Sequence, residues 1–251
     1  MSEEYINAQT KVENIKVRRK IYKEVFDDRT EKALQAIERR GNIDYIIGPI
    51  SKGKEANLFV GKKGKDFVCV KIYRIETTNF HHRRDYIDDE ELSKIAKNPI
   101  KRIYAWAERE LFNMKYCNEN KITVPKAIDQ QNNVLVMQLI GDKDKPWPTL
   151  KYDTTVKDHI DEIYKQYVEN LHKLIYKAKL VHADLSEYNM IFYKKKLYFI
   201  DLGQAFGTKA PNAKVFLERD LKTIVKFFDH NGLKVTLEKL KEDIKKGNYI
   251  V

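Results

Sequence analysis

Apolar residues recur at helical spacing at Ala33, Leu34 and Ile37, and the pattern changes after Gly41. The spacing predicts a helix with Asp28 or Thr30 as its cap and Gly41 at its end. From Ile43 the period becomes that of strands. Tyr45-Ile46-Ile47 leads into a loop at residues 51–57 and returns through Leu58-Phe59-Val60. A third strand, DFVCVKIY over residues 66–73, alternates a buried face and carries Lys71 near its end. Residues 76–102 are too polar and irregular for a core element, and an insertion of that length calls for a mobile or functional loop. A helix opens at Ala105 and continues through Met114 and Cys117. Residues 123–128 and 133–140 predict two strands around a turn at 130–133, the second of them continuously apolar until Gly141-Asp142. The stripe Val156, Ile160, Ile163, Tyr167, Leu171, Leu174 and Ala178 predicts a core helix capped by Thr154 or Thr155.

The next stretch places polar side chains at the ends of apolar runs. LVHADLSEYN, MIFYKKK and LYFIDLG follow one another from Leu180 to Gly203, so a hairpin of two buried strands carries Asp184, Asn189 and Asp201 to one edge. Three oxygen-bearing side chains converging there suit magnesium, a hard cation with oxygen ligands. They suit phosphoryl transfer as well, in which the protein positions groups and neutralises charge. In that division of labour Asp184 accepts the proton of an attacking hydroxyl or water, while Asn189 and Asp201 hold the metal against nucleotide phosphates. Either half alone reads as well as a hydrogen-bonded turn. The order HxDxxxxN, hairpin, DxG is the catalytic and metal-binding arrangement of protein-kinase-like enzymes.

Lysine inside an apolar strand needs a partner, because an uncompensated buried charge is costly. For Lys71 the helix beyond Ala105 offers Glu110, with Glu108 as the alternative. The loop at 51–57 has small and basic residues between two strands, where backbone N–H groups can surround phosphate oxygens. With one glycine it reads by itself more often as a hairpin turn.

HADLSEYN and IDLGQA, together with SKGKEAN at residues 51–57 and WAERE at 106–110, closely resemble the RIO family of atypical serine/threonine protein kinases, within it the first, archaeal-like subfamily. The resemblance covers about residues 50–228. It implies an α+β, bilobal protein-kinase-like fold: an antiparallel-sheet N-lobe with one main helix, a mostly helical C-lobe and no activation segment. Residues 1–42 would form a helical extension too short for the winged-helix module of the second subfamily, 43–140 the N-lobe with its mobile loop at 76–102, and 141–251 the C-lobe. It implies ATP and magnesium, with manganese as an alternative, in a site where Ile50, Ser51, Lys54, Glu55 and Ala56 cradle phosphates. Lys71 and Glu110 would pair there, Met137 would line the adenine pocket, and the backbones of Gln138 and Ile140 would bond the base. Asp184 would be the proton acceptor, Asn189 and Asp201 the metal ligands, and Asp201 also the site of a phospho-aspartate intermediate.

The implied activity is a kinase acting on serine and threonine, seen mainly as autophosphorylation with Ser93, Thr77 and Thr78 as candidates, joined to ATP hydrolysis. The implied partner is a maturing small ribosomal subunit and its rRNA, in the cytoplasm, with the chain a monomer or weak oligomer. The competing reading is a nucleotide-gated binding protein for pre-ribosomal RNA with little turnover. Three departures shape the expectation: Lys52 stands in a threonine place, Ser186 replaces the lysine of ordinary kinases, and TKAPNAKVF at 208–216 differs from the HPxA that RIO proteins often carry. An aminoglycoside-kinase-like activity, which would share HxDxxxxN, is not expected, since residues 231–251 are too few for its helical insertion.

Composition narrows this less. With 42% hydrophobic residues in a 251-residue chain, a substantial core is available. No apolar run approaches the roughly 20 residues of a membrane span, and MSEEYINAQTK is polar and acidic, unlike a signal peptide. A net charge of +11 favours an anionic partner, with His81-His82-Arg83-Arg84 as one RNA-contact candidate. The interleaving of lysine with glutamate also fits a solvated surface. Cys69 and Cys117 lack metal-ligand spacing and are expected as buried free thiols.

Overall fold

A computed structural model of the chain describes residues 26–75 and 98–247. Helix α1, Asp28–Arg39, is capped by Asp27, whose carboxylate accepts from the N–H groups of Arg29 and Thr30 and from the Thr30 hydroxyl. The cap is therefore neither Asp28 nor Thr30. Both sit inside the first turn, and Asp27 alone has the extended backbone a cap requires.

Strands β1 (Tyr45–Lys52), β2 (Ala56–Lys63), β3 (Asp66–Tyr73), β4 (Ala127–Gln131) and β5 (Val134–Gln138) form one antiparallel sheet in the order β1-β2-β3-β5-β4. Period-2 alternation splits it into two faces. Val68, Val70, Ile72, Val134 and Val136 pack under α1 with Ala33, Leu34 and Ile37. Cys69, Leu135 and Met137 face the opposite way, toward the body of the protein. The strand expected at 123–128 forms four residues later, since Pro125 offers no N–H and Thr123 is committed to Asn170 and Phe199. Strand β5 likewise ends at Gln138 rather than Ile140.

Helix α2, Pro99–Glu119, starts six residues before Ala105, with Asn98 as cap and proline in the first turn. The last residues of the expected loop are therefore helical. Residues 76–97, which hold Ser93, Thr77, Thr78 and His81-His82-Arg83-Arg84, lie outside the described residues, as do 1–25 and 248–251.

The remainder is mostly helical. A 3-10 turn at Val156–His159, helix α3 at Ile160–His172 and a π turn at Lys173–Lys177 occupy the span expected as one helix. Thr155 stands at the N-cap position of the 3-10 turn but makes no side-chain cap bond; Asp153 accepts from its N–H and hydroxyl. Helices α4 (Ala213–His230) and α5 (Leu237–Lys246) pack on α3 through Tyr164, Tyr167, Phe228, Leu240 and Ile244. Residues 208–212 alone separate α4 from the preceding strand, which leaves no room for an activation segment.

Four short hairpin strands and two edge strands complete the fold: β6 (Gly141–Asp142) with β7 (Lys145–Pro146), β9 (Met190–Tyr193) with β10 (Lys196–Phe199), and β8 (Leu180–Val181) with β11 (Phe206–Gly207). The β9–β10 register pairs Tyr193 with Lys196, so Lys194 and Lys195 form a two-residue turn with φ of +48° and +58°. Left-handed backbone costs an L residue about 1–2 kcal/mol, and turns of this kind favour Asn-Gly. Lys143, in the β6–β7 turn, shares that conformation at φ +54°.

Candidate active site

Lys71 lies on the body-facing side of β3 and is 8% exposed. Its ammonium touches both oxygens of Glu110, at 2.9 and 2.8 Å, and Asp201 Oδ1 at 2.8 Å. Glu110, fully buried on α2, is therefore the lysine's partner rather than the exposed Glu108. Burial alone would pull the lysine's pKa down, but the Asp201 and Glu110 carboxylates hold it well above its ordinary value. Lys71 is charged, and with two carboxylates around it the cluster keeps an excess negative charge that a cation can offset.

Tyr73, two residues on along β3 and on the same face, donates its hydroxyl to Glu110 Oε2. That bond adds a second donor to the oxygen that Lys71 also touches. Nothing in the sequence signalled it beyond the strand period.

Asp201 follows β10 with φ +61° and ψ +62°, left-handed backbone outside glycine. Helix α2 holds this turn in place. Asn113 donates to the carbonyls of Leu202 at 2.9 Å and Ala205 at 3.1 Å, and Arg109 adds two bonds to Ala205 at 3.2 and 2.9 Å. Trp106 seats against Gly203 so closely that a Cβ there would lie 2.6 Å from the indole nitrogen. The helix that carries Glu110 thus grips the turn that carries Asp201.

Asp184 is exposed on the loop after β8, and Asn189 closes that loop. The Asn189 amide donates to the Asp184 carbonyl at 2.7 Å and to its carboxylate at 3.1 Å. With the nitrogen committed in this way, Asn189 Oδ1 points elsewhere as an acceptor. The loop is tied to the Asp201 strand twice: Ile200 donates its N–H to the Asn189 carbonyl at 3.0 Å, and His182 Nε2 donates to the Ile200 carbonyl at 3.0 Å. Burial lowers the His182 pKa, so the ring is neutral and serves as a strut. From below, Arg219 donates to the Ala183 carbonyl and Asp220 accepts from the Leu185 N–H. Burial pushes the Asp220 carboxyl up to about 7.

The structure therefore gathers Lys71, Glu110 and Asp201 in one contact cluster and Asp184 with Asn189 in another, joined through Ile200. Oxygen donors from Asn189 and Asp201 fit a hard divalent cation. Among the described residues no group of three His, Cys, Asp or Glu side chains is arranged to hold a metal by itself, so phosphate or water oxygens would complete the shell.

The remaining predicted residues surround this centre without joining it. Ser51, Lys54 and Glu55 are exposed at the β1–β2 turn, with Ala56 partly covered. Gly53 closes that turn by donating to the Ala56 carbonyl at 3.0 Å, and a Cβ on it would meet that oxygen at 2.6 Å. Ile50 packs at the edge of the main core, which includes Met137 at 9% exposure. Gln138 already donates its N–H to Lys126, and the Ile140 carbonyl accepts from Trp147. Sequence reasoning missed Tyr73, Arg109, Asn113 and Asp220. A buried asparagine on the apolar face of α2 and an aspartate inside α4 were the available signals.

The family model described as RIO domain matches residues 57–240 of the chain. The RIO-type serine/threonine-protein kinase Rio1 of Haloferax volcanii is 39% identical over 218 residues, spanning 85% of this chain and 73% of its own. A protein of the same name from Thermoplasma acidophilum is 39% identical over 191 residues, 75% of this chain and 99% of its own. Among solved structures, a Rio2 kinase-ADP/Mg2+-phosphoaspartate complex from Chaetomium thermophilum aligns with TM-score 0.65 at 22% identity, covering 88% of this chain and 66% of that one. At that identity the likeness is one of fold.

Proposed function

This chain belongs to the RIO family, and from that premise we propose that it transfers the γ-phosphoryl group of ATP to serine and threonine hydroxyls, its own among them, and hydrolyses ATP through a phosphorylated Asp201. The observation that carries the reading is Lys71 bridging Glu110 and Asp201 at 2.8–2.9 Å. A charged lysine held between two carboxylates is placed to meet the α and β phosphates, the part such a pair plays in kinases.

The base would lie against Met137, with the backbone of residues 138–140 along its edge. In transfer to a hydroxyl, the acceptor oxygen bonds to the γ phosphorus as its proton passes to Asp184, and the bond from that phosphorus to the bridging oxygen breaks to release ADP. In hydrolysis, an Asp201 carboxylate oxygen takes the acceptor's place. Water then attacks the acyl phosphate, gives its proton to Asp184 and restores Asp201 with release of phosphate. Magnesium, held by Asn189 and Asp201, would supply charge neutralisation on the phosphate oxygens. Ser186 leaves no cation two residues beyond Asp184, so stabilisation of the transferred group falls to Lys71 and the metal. The partner we propose is the maturing small ribosomal subunit in the cytoplasm, in keeping with the +11 charge.

Single-turnover incubation with γ-labelled ATP and magnesium tests this in wild type, Asp184→Ala and Asp201→Ala. Protein-bound label lost to hydroxylamine and absent from Asp201→Ala identifies the acyl phosphate. Acid-stable, hydroxylamine-resistant label alone would leave a kinase without the aspartyl branch. Bound ATP with no transfer would replace both with a nucleotide-gated binding protein.

A further inference from the structure

The two lysine turns adjoin through one side chain. Asp142, at the end of β6, accepts from the Tyr193 hydroxyl at 2.5 Å and from Lys194 Nζ at 3.1 Å, while the rings of Trp147 and Tyr193 lie 5.4 Å apart between the turns. Gln166 anchors the β9–β10 turn from α3, donating to the Lys195 carbonyl at 3.0 Å and accepting the Leu197 N–H at 2.8 Å. Lys143, Lys145, Lys194, Lys195 and Lys196 are all exposed on this rigid edge, against Asp142 and Asp144.

Lysines 143, 194 and 195 occupy left-handed positions, where glycine, asparagine or aspartate would sit with less strain. Lys121 and Lys179 adopt the same conformation elsewhere, so it is the display of the side chains together, and not backbone strain, that sets this edge apart. Ammonium groups displayed on an anchored edge, beside a half-buried Trp-Tyr pair, combine the two elements of single-strand recognition: cations along the backbone and rings on which bases stack.

We propose that this paired-turn surface binds single-stranded nucleic acid, its phosphates on the lysines and a base against Trp147 and Tyr193. The proposal deepens the partner in the reading above but shares no residue with the nucleotide site, so either can fail alone.

The test is fluorescence anisotropy of end-labelled, unstructured RNA and DNA of about 20 nucleotides, with the full chain and no ATP, from roughly 50 to 200 mM salt. The variants are Lys194→Asn with Lys195→Gly, which installs the favoured turn, and Lys32→Gln with Lys115→Gln, which removes equal charge from exposed sites on α1 and α2. The turn variant should melt higher than wild type yet bind roughly tenfold more weakly, with the salt slope shallower by about 1.4 for two lost phosphate contacts. The control pair should keep the wild-type slope. Preference for RNA would tie the surface to the ribosomal partner; equal binding of DNA would support the surface as a general single-strand site. An unchanged slope in the turn variant, an equal loss in the control pair, a lower melting temperature of the turn variant, or wild-type binding to phosphatidylserine vesicles and not to either strand would overturn the proposal. Loss of catalysis leaves every one of these readings in place.

Discussion

At the scale of single residues, the site is a balance of buried charge. Glu110 is fully buried, with Lys71 reaching both of its oxygens and the Tyr73 hydroxyl donating to Oε2 as well. Tyr73→Phe should lower stability by about 1 kcal/mol, the net worth of one hydrogen bond, since Lys71 still reaches both Glu110 oxygens. It should also lower kcat more than it raises KM for ATP, because the carboxylate that aims Lys71 is loosened while the pocket for the base is untouched. A kinetic effect confined to KM would count against this role. Asp220 gives a pH signature. Its folded pKa of about 7 lies above the unbound carboxyl value of 3.8, so the native state holds the proton more tightly. Its contribution to stability is complete below pH 3.8, falls as pH rises, and is lost once pH passes about 7. Asp220→Asn keeps an acceptor for the Leu185 N–H and should flatten this part of the stability profile in urea titrations between pH 4 and pH 8. A slope in that window identical to wild type would remove Asp220 as its source.

At the scale of elements, helix α2 is the lever that sets both halves of the site. Trp106, Arg109, Glu110 and Asn113 lie along its inner face and engage residues 201–205 and Lys71 together. In a chain with only residues 208–212 before α4, no activation segment is available to hold that helix, and these contacts do so instead. Gly203→Ala would drive a Cβ to 2.6 Å from the Trp106 indole nitrogen, so the indole and the turn must part. We expect kcat to drop at least about tenfold, the loss a displacement of roughly 1 Å at reacting groups can cause. Trimming the indole with Trp106→Phe in the same chain should recover part of it. No recovery would mean that the alanine acts on the turn backbone alone.

The same helix shows what the sequence disclosed. Lys71, Asp184, Asn189 and Asp201 were legible because their chemistry depends on spacing within one hairpin or on a charge inside an apolar strand. Asn113 and Arg109 were not, because their partners lie 89 to 96 residues away; the place of Asn113 on the apolar stripe of α2 signals burial but not what it bonds. The cap of α1 failed for a different reason: Asp27 stands beside other capable residues, and only backbone geometry chooses among them. Strand β4 moved four residues because Thr123 was already bonded to the other half of the molecule.

At the scale of the whole molecule, the main core does not stop at the cleft. Val60, Cys69 and Met137 from the sheet, with Leu139 just beyond it, belong to one buried cluster with Met190, Phe192, Phe199 and Phe228 from the helical half. Heat should therefore unfold both halves in a single transition, and a ligand that bridges them should raise its midpoint. A non-hydrolysable ATP analogue with magnesium, at about 100 times its Kd, would add about 2.7 kcal/mol. For a domain of this size that corresponds to a rise of roughly 5–10 °C. In the function proposed above, Asp201 contributes to nucleotide binding through the metal. In Asp201→Ala, magnesium should add little to the shift that the analogue gives in EDTA, whereas in wild type it should add most of it. Scanning calorimetry of both proteins, with EDTA and with magnesium, decides the matter. Two resolved transitions would break the single-core account, and an equal magnesium increment in the two proteins would place the cation on other ligands.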